Sequence, residues 1–218
     1  MVTSRSRSTA AVHELSSRDP VLAGLAERHG PPPAPRPAAA GQRFAALARS
    51  ICHQQLAGRA AATIHGRLVD ALDAEVTADR VLAAGPAVLT SCGLSASKAA
   101  SIRDLAERVA AGTVSLAHIG RLSDEAVVQH LVQVRGIGRW TAEMFLLSTL
   151  GRPDVWPVGD YGVRVGFAAA WGLPEVPTPP QLTELGERYR PYRSTVAWYC
   201  WRAADQRAAD GRAAAVSG

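Results

Sequence analysis

The sequence predicts an all-α fold in two helical subdomains, and three observations carry that expectation. Apolar residues recur at helical spacing through most of the chain, as in Phe44, Leu47 and Ile51 or in Ile102, Leu105 and Val109. No segment alternates apolar and polar residues with the β-branched enrichment of a strand. Glycine and proline interrupt the helical runs often enough to leave about nine or ten helices. With 47% hydrophobic and 20% charged residues, the balance excludes disordered and fibrous classes.

Taken in order, residues 1–18 are rich in Ser, Arg and Thr without periodicity, and a flexible N-terminal arm is expected there. Asp19-Pro20 supplies a capping aspartate and a first-turn proline, predicting a short helix through Arg28 that ends at His29-Gly30. The prolines of 31–41 exclude helix and favour an extended linker. Helix resumes at Gln42, and its apolar stripe continues at Ile64 and Leu68 after Gly58. Thr77 or Asp79 caps a short helix through Leu82, and Gly85-Pro86 breaks the chain before another. Ser95 to Ala111 is amphipathic and stopped by Gly112. Ser123-Asp124-Glu125 opens the next helix with a cap and an acidic first turn.

Leu131 to Trp171 reads as helix, Gly-Ile-Gly hairpin, helix, a Gly- and Pro-rich loop (Arg152 to Gly159) and a helix from Tyr161. A proline linker at 174–180 precedes helices over Gln181–Arg190 and Ser194–Ala209, and 210–218 reads as a flexible tail. No linker parts 42–130 from 131–209, so these halves are expected to share one cleft within a helical domain spanning 19–209.

The net charge of +5 and pI near 9.6 suit a polyanionic partner without requiring one. No apolar run reaches the roughly 18–20 residues of a membrane span. The N-terminus lacks the apolar core of a signal peptide, so a cytoplasmic protein is expected. Lys98 is the only lysine among 24 basic residues. Cys52, Cys92 and Cys200 are too few and too far apart for a disulfide framework or a four-cysteine zinc or iron–sulfur site, and each is expected to be a small buried apolar residue.

Two features could carry chemistry. Val134-Arg135-Gly136-Ile137-Gly138 turns through conformations that glycine adopts cheaply, and the helix from Arg139 then directs amides and a positive dipole end outward. On these residues alone it is either a plain αα-corner or an anion site; the apolar helix before it and Arg-Trp-Thr-Ala after it give it the form of a helix–hairpin–helix, which grips DNA by its backbone. The hairpin pair spans about 124–150. Asp160 directly precedes the helix from Tyr161 and is either an ordinary N-cap or a carboxylate placed to stabilise a developing sugar cation or orient a water.

RGIGRWTAEMFLL followed by VWPVGDYGVR resembles the helix–hairpin–helix, Gly/Pro-loop and aspartate signature of the DNA glycosylase superfamily, most closely its 3-methyladenine DNA glycosylase II branch. ICHQQLAGRAAATIHGRL (51–68) looks like that branch's first core helices with their Gln-Gln pair, GLSASKAASIRDLAERV (93–109) like its helix ahead of the hairpin, and RPYRSTVAWYCWR (190–202) like its last helix. The similarity covers about 19–205, with the motifs in family order.

The resemblance implies a monomeric, monofunctional enzyme of base excision repair at the bacterial nucleoid. It would flip alkylated purines of the 3-methyladenine or 7-methylguanine type from double-stranded DNA and hydrolyse the N-glycosidic bond, leaving an abasic site in an intact strand. Other damaged bases (ethenoadenine, hypoxanthine) and non-catalytic damage binding are the alternatives. In this likeness Asp160 is catalytic, and the DNA backbone is held by Gly136, Ile137, Gly138, Arg139 and Thr141, with Arg135 beside them. Gln54, Gln55 and Leu56 fall where relatives fill the gap left by the flipped nucleotide. Carbonyls of Val132, Val134 and Gly136 would hold a structural Na+ or K+; no other cofactor is implied.

Trp140, Trp201 and Tyr161, with Trp198 near them, would line the base pocket, where an indole face suits a cationic alkylated base. Met144 stands where some relatives carry a pocket tyrosine, and Trp156 and Trp171 are assigned to the core. Members that also cut the strand use a lysine two residues after the second hairpin glycine; Trp140 occupies that position here. An iron–sulfur cluster needs four C-terminal cysteines, and only Cys200 lies there.

Overall fold

Helix is the only regular structure among the described residues of this computed structural model, which are 4–56 and 58–216. Eleven α-helices and three short 3-10 turns follow one another there. They divide between two compact units, one formed by residues 37–150 and the other by 1–36 together with 151–218. The expected boundary near 130 is therefore displaced to Leu150–Gly151, inside the central stretch.

The discontinuous unit begins with α1 (Ser4–Arg18) and α2 (Pro20–His29). The expectation of a flexible arm over 1–18 is corrected over 4–18, while residues 1–3 lie outside the described part. Ala11 and Leu15 of α1 are buried, and Leu15, Leu22 and Leu25 share one core with Phe167, Val196, Tyr199 and Cys200. Asp19 caps α2 as expected, accepting from Val21 N at 2.9 Å. From the C-terminal part come α9 (Tyr161–Trp171), α10 (Pro179–Gly186) and α11 (Arg193–Val216). The helix expected over 181–190 starts two residues earlier, on the Thr178-Pro179 cap, and ends in a 3-10 turn at Glu187–Tyr189. The tail assignment from 210 is likewise corrected, because α11 continues through Val216; residues 217–218 are outside the described part.

Helices α9 and α11 approach so closely that a Cβ on Gly166 would fall 1.7 Å from the Cys200 carbonyl oxygen. Trp156 is buried, with its indole N–H donating to Leu182 O at 2.8 Å. Trp171 stacks on Phe167 with centroids 4.1 Å apart. The core assignment of both tryptophans agrees with this packing.

The continuous unit holds α3 (Arg43–His53), α4 (Gly58–Ala71), α5 (Ala78–Ser91), α6 (Ala96–Ala110), α7 (Asp124–Leu131) and α8 (Arg139–Ser148). Phe44, Leu47, Ile51, Leu68, Ile102, Leu105, Leu131 and Phe145 are buried in it, as the periodicity of α3 and α6 implies. Thr77, not Asp79, caps α5, and Gly85 at φ 74° breaks that helix at the expected Gly85-Pro86 break. Ser95 and Ser123 cap α6 and α7 through their hydroxyls. All three cysteines are buried, and burial pushes the Cys52 thiol up to about 11, so it stays neutral.

Candidate functional site

The hairpin between α7 and α8 is anchored by two buried apolar residues, Val134 and Ile137. Gly136 turns the chain at φ 75°, and a Cβ there would lie 2.5 Å from Ser101 Oγ, so both conformation and close approach demand glycine. Gly138 differs. It precedes α8 with φ −93° and no side-chain cap, and nothing lies within 4 Å of where its Cβ would be. The first amides of a helix lack intrahelical acceptors, and the positive end of the α8 dipole lies here beside the open space at Gly138. That is the geometry of an anion site.

Side chains from elsewhere in this unit hold the hairpin in place. Asp104 Oδ2 accepts from Arg135 N at 2.8 Å and from Arg108 Nε at 2.9 Å. Burial alone would raise the Asp104 carboxyl, but these bonds and the charges of Arg108 and Arg135 outweigh it and hold the group below its ordinary range. Gln54 Nε2 donates to Gly136 O at 3.0 Å and to Thr141 Oγ1 at 3.3 Å.

The structure thus divides the expected wedge trio. Gln54 turns inward onto the hairpin, while Gln55 (φ 53°) and Leu56 are exposed. Thr141 is 5% exposed, and its hydroxyl accepts from Gln54 Nε2 at 3.3 Å, so that side chain is spent inside the unit. Ile137 is buried and serves the hairpin as an anchor.

Arg139 was expected on a phosphate, yet its guanidinium makes a bidentate ion pair with Glu125, at 2.6 and 3.0 Å. The hydrogen bonds with Arg139 hold the Glu125 carboxyl below its usual range and raise the arginine further. A phosphate would have to compete with that carboxylate, whereas Arg135 is exposed beside the turn. Val134 O accepts from Ile137 N (3.1 Å) and Gly136 O from Gln54. A carbonyl oxygen has two lone pairs, so each retains one, and an all-carbonyl donor set fits Na+ or K+. Among the described residues no group of three or more His, Cys, Asp or Glu side chains could hold a metal ion.

Asp160 belongs to the other unit, at the N-terminus of α9. Its Oδ1 accepts from Val163 N at 2.8 Å and from the Trp201 indole N–H at 3.0 Å. Trp201 therefore fixes the rotation of the carboxylate. Gly162 makes this possible, because a Cβ there would sit 3.1 Å from both Asp160 Oδ1 and Trp201 Cδ1. The Asp160 charge also reaches the core. Complete burial first, and then this neighbouring negative charge, push the Cys200 thiol far above its usual range.

Tyr161 is 68% exposed, with the Arg164 guanidinium 5.9 Å from its ring centroid. Trp198 is half-buried and meets Tyr199 edge-on at 5.0 Å, which assigns it to the rim of the core. Of the other residues expected to line a base pocket, Trp140 is 47% exposed and Met144 half-buried, one turn apart on the same side of α8.

Gly162 and Gly166 escaped the sequence reading, although their four-residue spacing is a signal for close helix approach. Glu125 left no such signal, being separated by 14 residues from the arginine it binds.

A model of the HhH-GPD superfamily base excision DNA repair proteins matches residues 48–191, a span holding both the hairpin and Asp160. The chain belongs to that superfamily. Among HhH-GPD proteins it is similar to DNA-3-methyladenine glycosylase 1 of Schizosaccharomyces pombe, 33% identical over 159 residues that cover 72% of this chain and 70% of the relative. The fold agrees with the solved structure of the S. pombe 3-methyladenine DNA glycosylase (Mag1) in complex with abasic DNA, at a TM-score of 0.78 and 31% identity over 88% of this chain and 95% of that one. A DNA-3-methyladenine glycosidase from Bacillus halodurans superposes with a TM-score of 0.79 and 30% identity over 89% and 88% of the two chains. DNA-3-methyladenine glycosylase 2 of Escherichia coli is 30% identical over 57% of this chain and 41% of the relative.

Proposed function

We propose that this chain is a monofunctional DNA glycosylase, which flips an alkylated purine from duplex DNA, hydrolyses its N-glycosidic bond and leaves an abasic site. The observation that carries the reading is the Asp160 carboxylate, oriented by Val163 N and the Trp201 indole at the head of α9. A pure DNA-binding module has no use for a fixed carboxylate near a polyanion. In a glycosylase the negative charge stabilises the oxocarbenium-like sugar as the base departs and favours water attack on the same carbon. Alkylated purines carry positive charge and are already good leaving groups, so no strong general acid is required.

The hairpin amides after Gly138 would take a phosphate of the damaged strand, and a Na+ or K+ held by Val132, Val134 and Gly136 carbonyls would add positive charge there. The exposed indole of Trp140 suits the face of a cationic base, a stacking and cation–π contact of about 0.5–2 kcal/mol. Exposed Gln55 and Leu56 are the wedge candidates. Strand cleavage through a Schiff base needs an amine at the position Trp140 holds, and Lys98, the only lysine, donates to Cys52 O and Gln54 O instead. The preference among methylated, etheno and deaminated purines is read directly by chromatography of bases freed from treated DNA.

The same assay tests the enzyme reading. The wild type should release methylpurines, and Asp160→Asn should lower the rate by at least about a hundredfold while still binding abasic duplex. No release by the wild type refutes the glycosylase reading, and full activity in the variant removes Asp160 from the chemistry.

A further inference from the structure

We propose that Lys98, acting through Gln54, is a positioning residue that sets the hairpin for DNA; this rests on the reading that the hairpin takes a DNA phosphate. The starting point is a composition anomaly, one lysine in a chain whose other basic residues are all arginine. Its ammonium is half-buried at the C-terminal end of α3, donating to Cys52 O at 2.8 Å and Gln54 O at 2.6 Å. The last carbonyls of a helix lack intrahelical donors, and a cation there meets the negative dipole end. A compact ammonium with three donors can bridge two such carbonyls, whereas a planar guanidinium presents its donors in a rigid fork.

What Lys98 fixes is the residue that grips the hairpin. The Gln54 amide reaches Gly136 O on one side of the Gly-Ile-Gly turn and Thr141 Oγ1 on the other. Two further residues of α6 support the same turn: Ser101 lies under Gly136, and Asp104 holds Arg135 N. Lys98, Ser101 and Asp104 succeed one another every three residues along one side of α6. The helix thus forms a cradle, and its lysine is the one member that acts at one remove. Freeing the end of α3 would let the Gln54 amide drift and the hairpin amides lose their fixed geometry. The cost of ordering them would then fall on the binding step.

The test measures affinity for an abasic-site duplex, steady-state release of methylpurines from alkylated DNA, and thermal melting of the full chain. The variants are Lys98→Met, Gln54→Met and their double. Each single variant should weaken duplex binding about tenfold, with the loss appearing in KM and not in kcat, and the double should be no weaker than the worse single. A lysine that merely caps α3 would lower the melting temperature and leave the affinity of the folded protein unchanged, which overturns the proposal. Losses that multiply in the double variant overturn it too. Should Lys98→Met not fold, Gln54→Met keeps both lysine bonds to backbone and must still show the loss of affinity. A wild type that frees no methylpurine refutes the glycosylase reading alone, because the duplex affinities still decide the role of Lys98. Normal wild-type release with unaltered binding by the variants refutes only the role of Lys98.

Discussion

At the scale of single residues, two aspartates cap helices in the same unit and are held differently. Asp19 is 3% exposed and saturated by Tyr189 OH, Trp171 Nε1 and Val21 N, with Arg188 at 3.6 Å. Asp160 is half-buried, with an indole N–H and an amide converging on its Oδ1. Trp201→Phe tests the indole bond, since phenylalanine keeps a smaller aromatic face and has no N–H donor. Saturated single-turnover base release should fall by about tenfold, a typical loss for one charge-assisted hydrogen bond, with duplex affinity within about twofold of wild type. An undiminished rate would show that the indole bond does not set Asp160 for the chemistry. Both caps were readable from Asp-Pro and Gly-Asp-Tyr, because capping is local. The Trp201 bond was not, because it closes over 41 residues and depends on how α9 meets α11.

At the scale of elements, the contrast between glycines is the sharpest test of the packing. Gly166→Ala places a methyl group 1.7 Å from backbone of α11, so the helices must part, at a cost of about 2–4 kcal/mol read from urea unfolding. Gly138→Ala should be nearly neutral for stability, since φ is −93° and the space is open, yet it should weaken duplex binding by filling that space. Equal destabilisation by the two variants would contradict this division. Periodicity and caps made α2, α3, α6 and α7 legible in the sequence. Helix α1 was missed because its Ser- and Arg-rich stretch shows no stripe of its own. Its burial rests on Ala11 and Leu15, and only the seven-residue step from Leu15 to Leu22 hints that α1 and α2 share a core.

At the scale of the molecule, the division into units escaped the sequence reading because it is discontinuous. The first two helices complete the core built after Gly151, a pairing no local pattern announces. Each unit carries its own acid-sensitive groups. His29, His53 and His65 sit below the ordinary imidazole value, through burial first and then nearby arginine or other cationic charge. In the folded chain these rings resist protonation, so the unfolded state binds protons first as pH falls through about 6.5, and stability declines. Asp19, Asp104 and Asp154 are also depressed, their hydrogen bonds and neighbouring arginines overcoming burial. Their contribution is full above the unfolded carboxylate value near 4 and disappears as pH falls through the lower folded values. Both effects have the same sign. The urea midpoint should therefore be level from about pH 8 to 7, slope gently downward below about 6.5, and drop steeply below about 4. Replacing the three histidines by glutamine should flatten the upper slope and leave the lower one. A midpoint that rises between pH 7 and 5 would mean that cationic histidine, and not neutral histidine, is the form the fold favours.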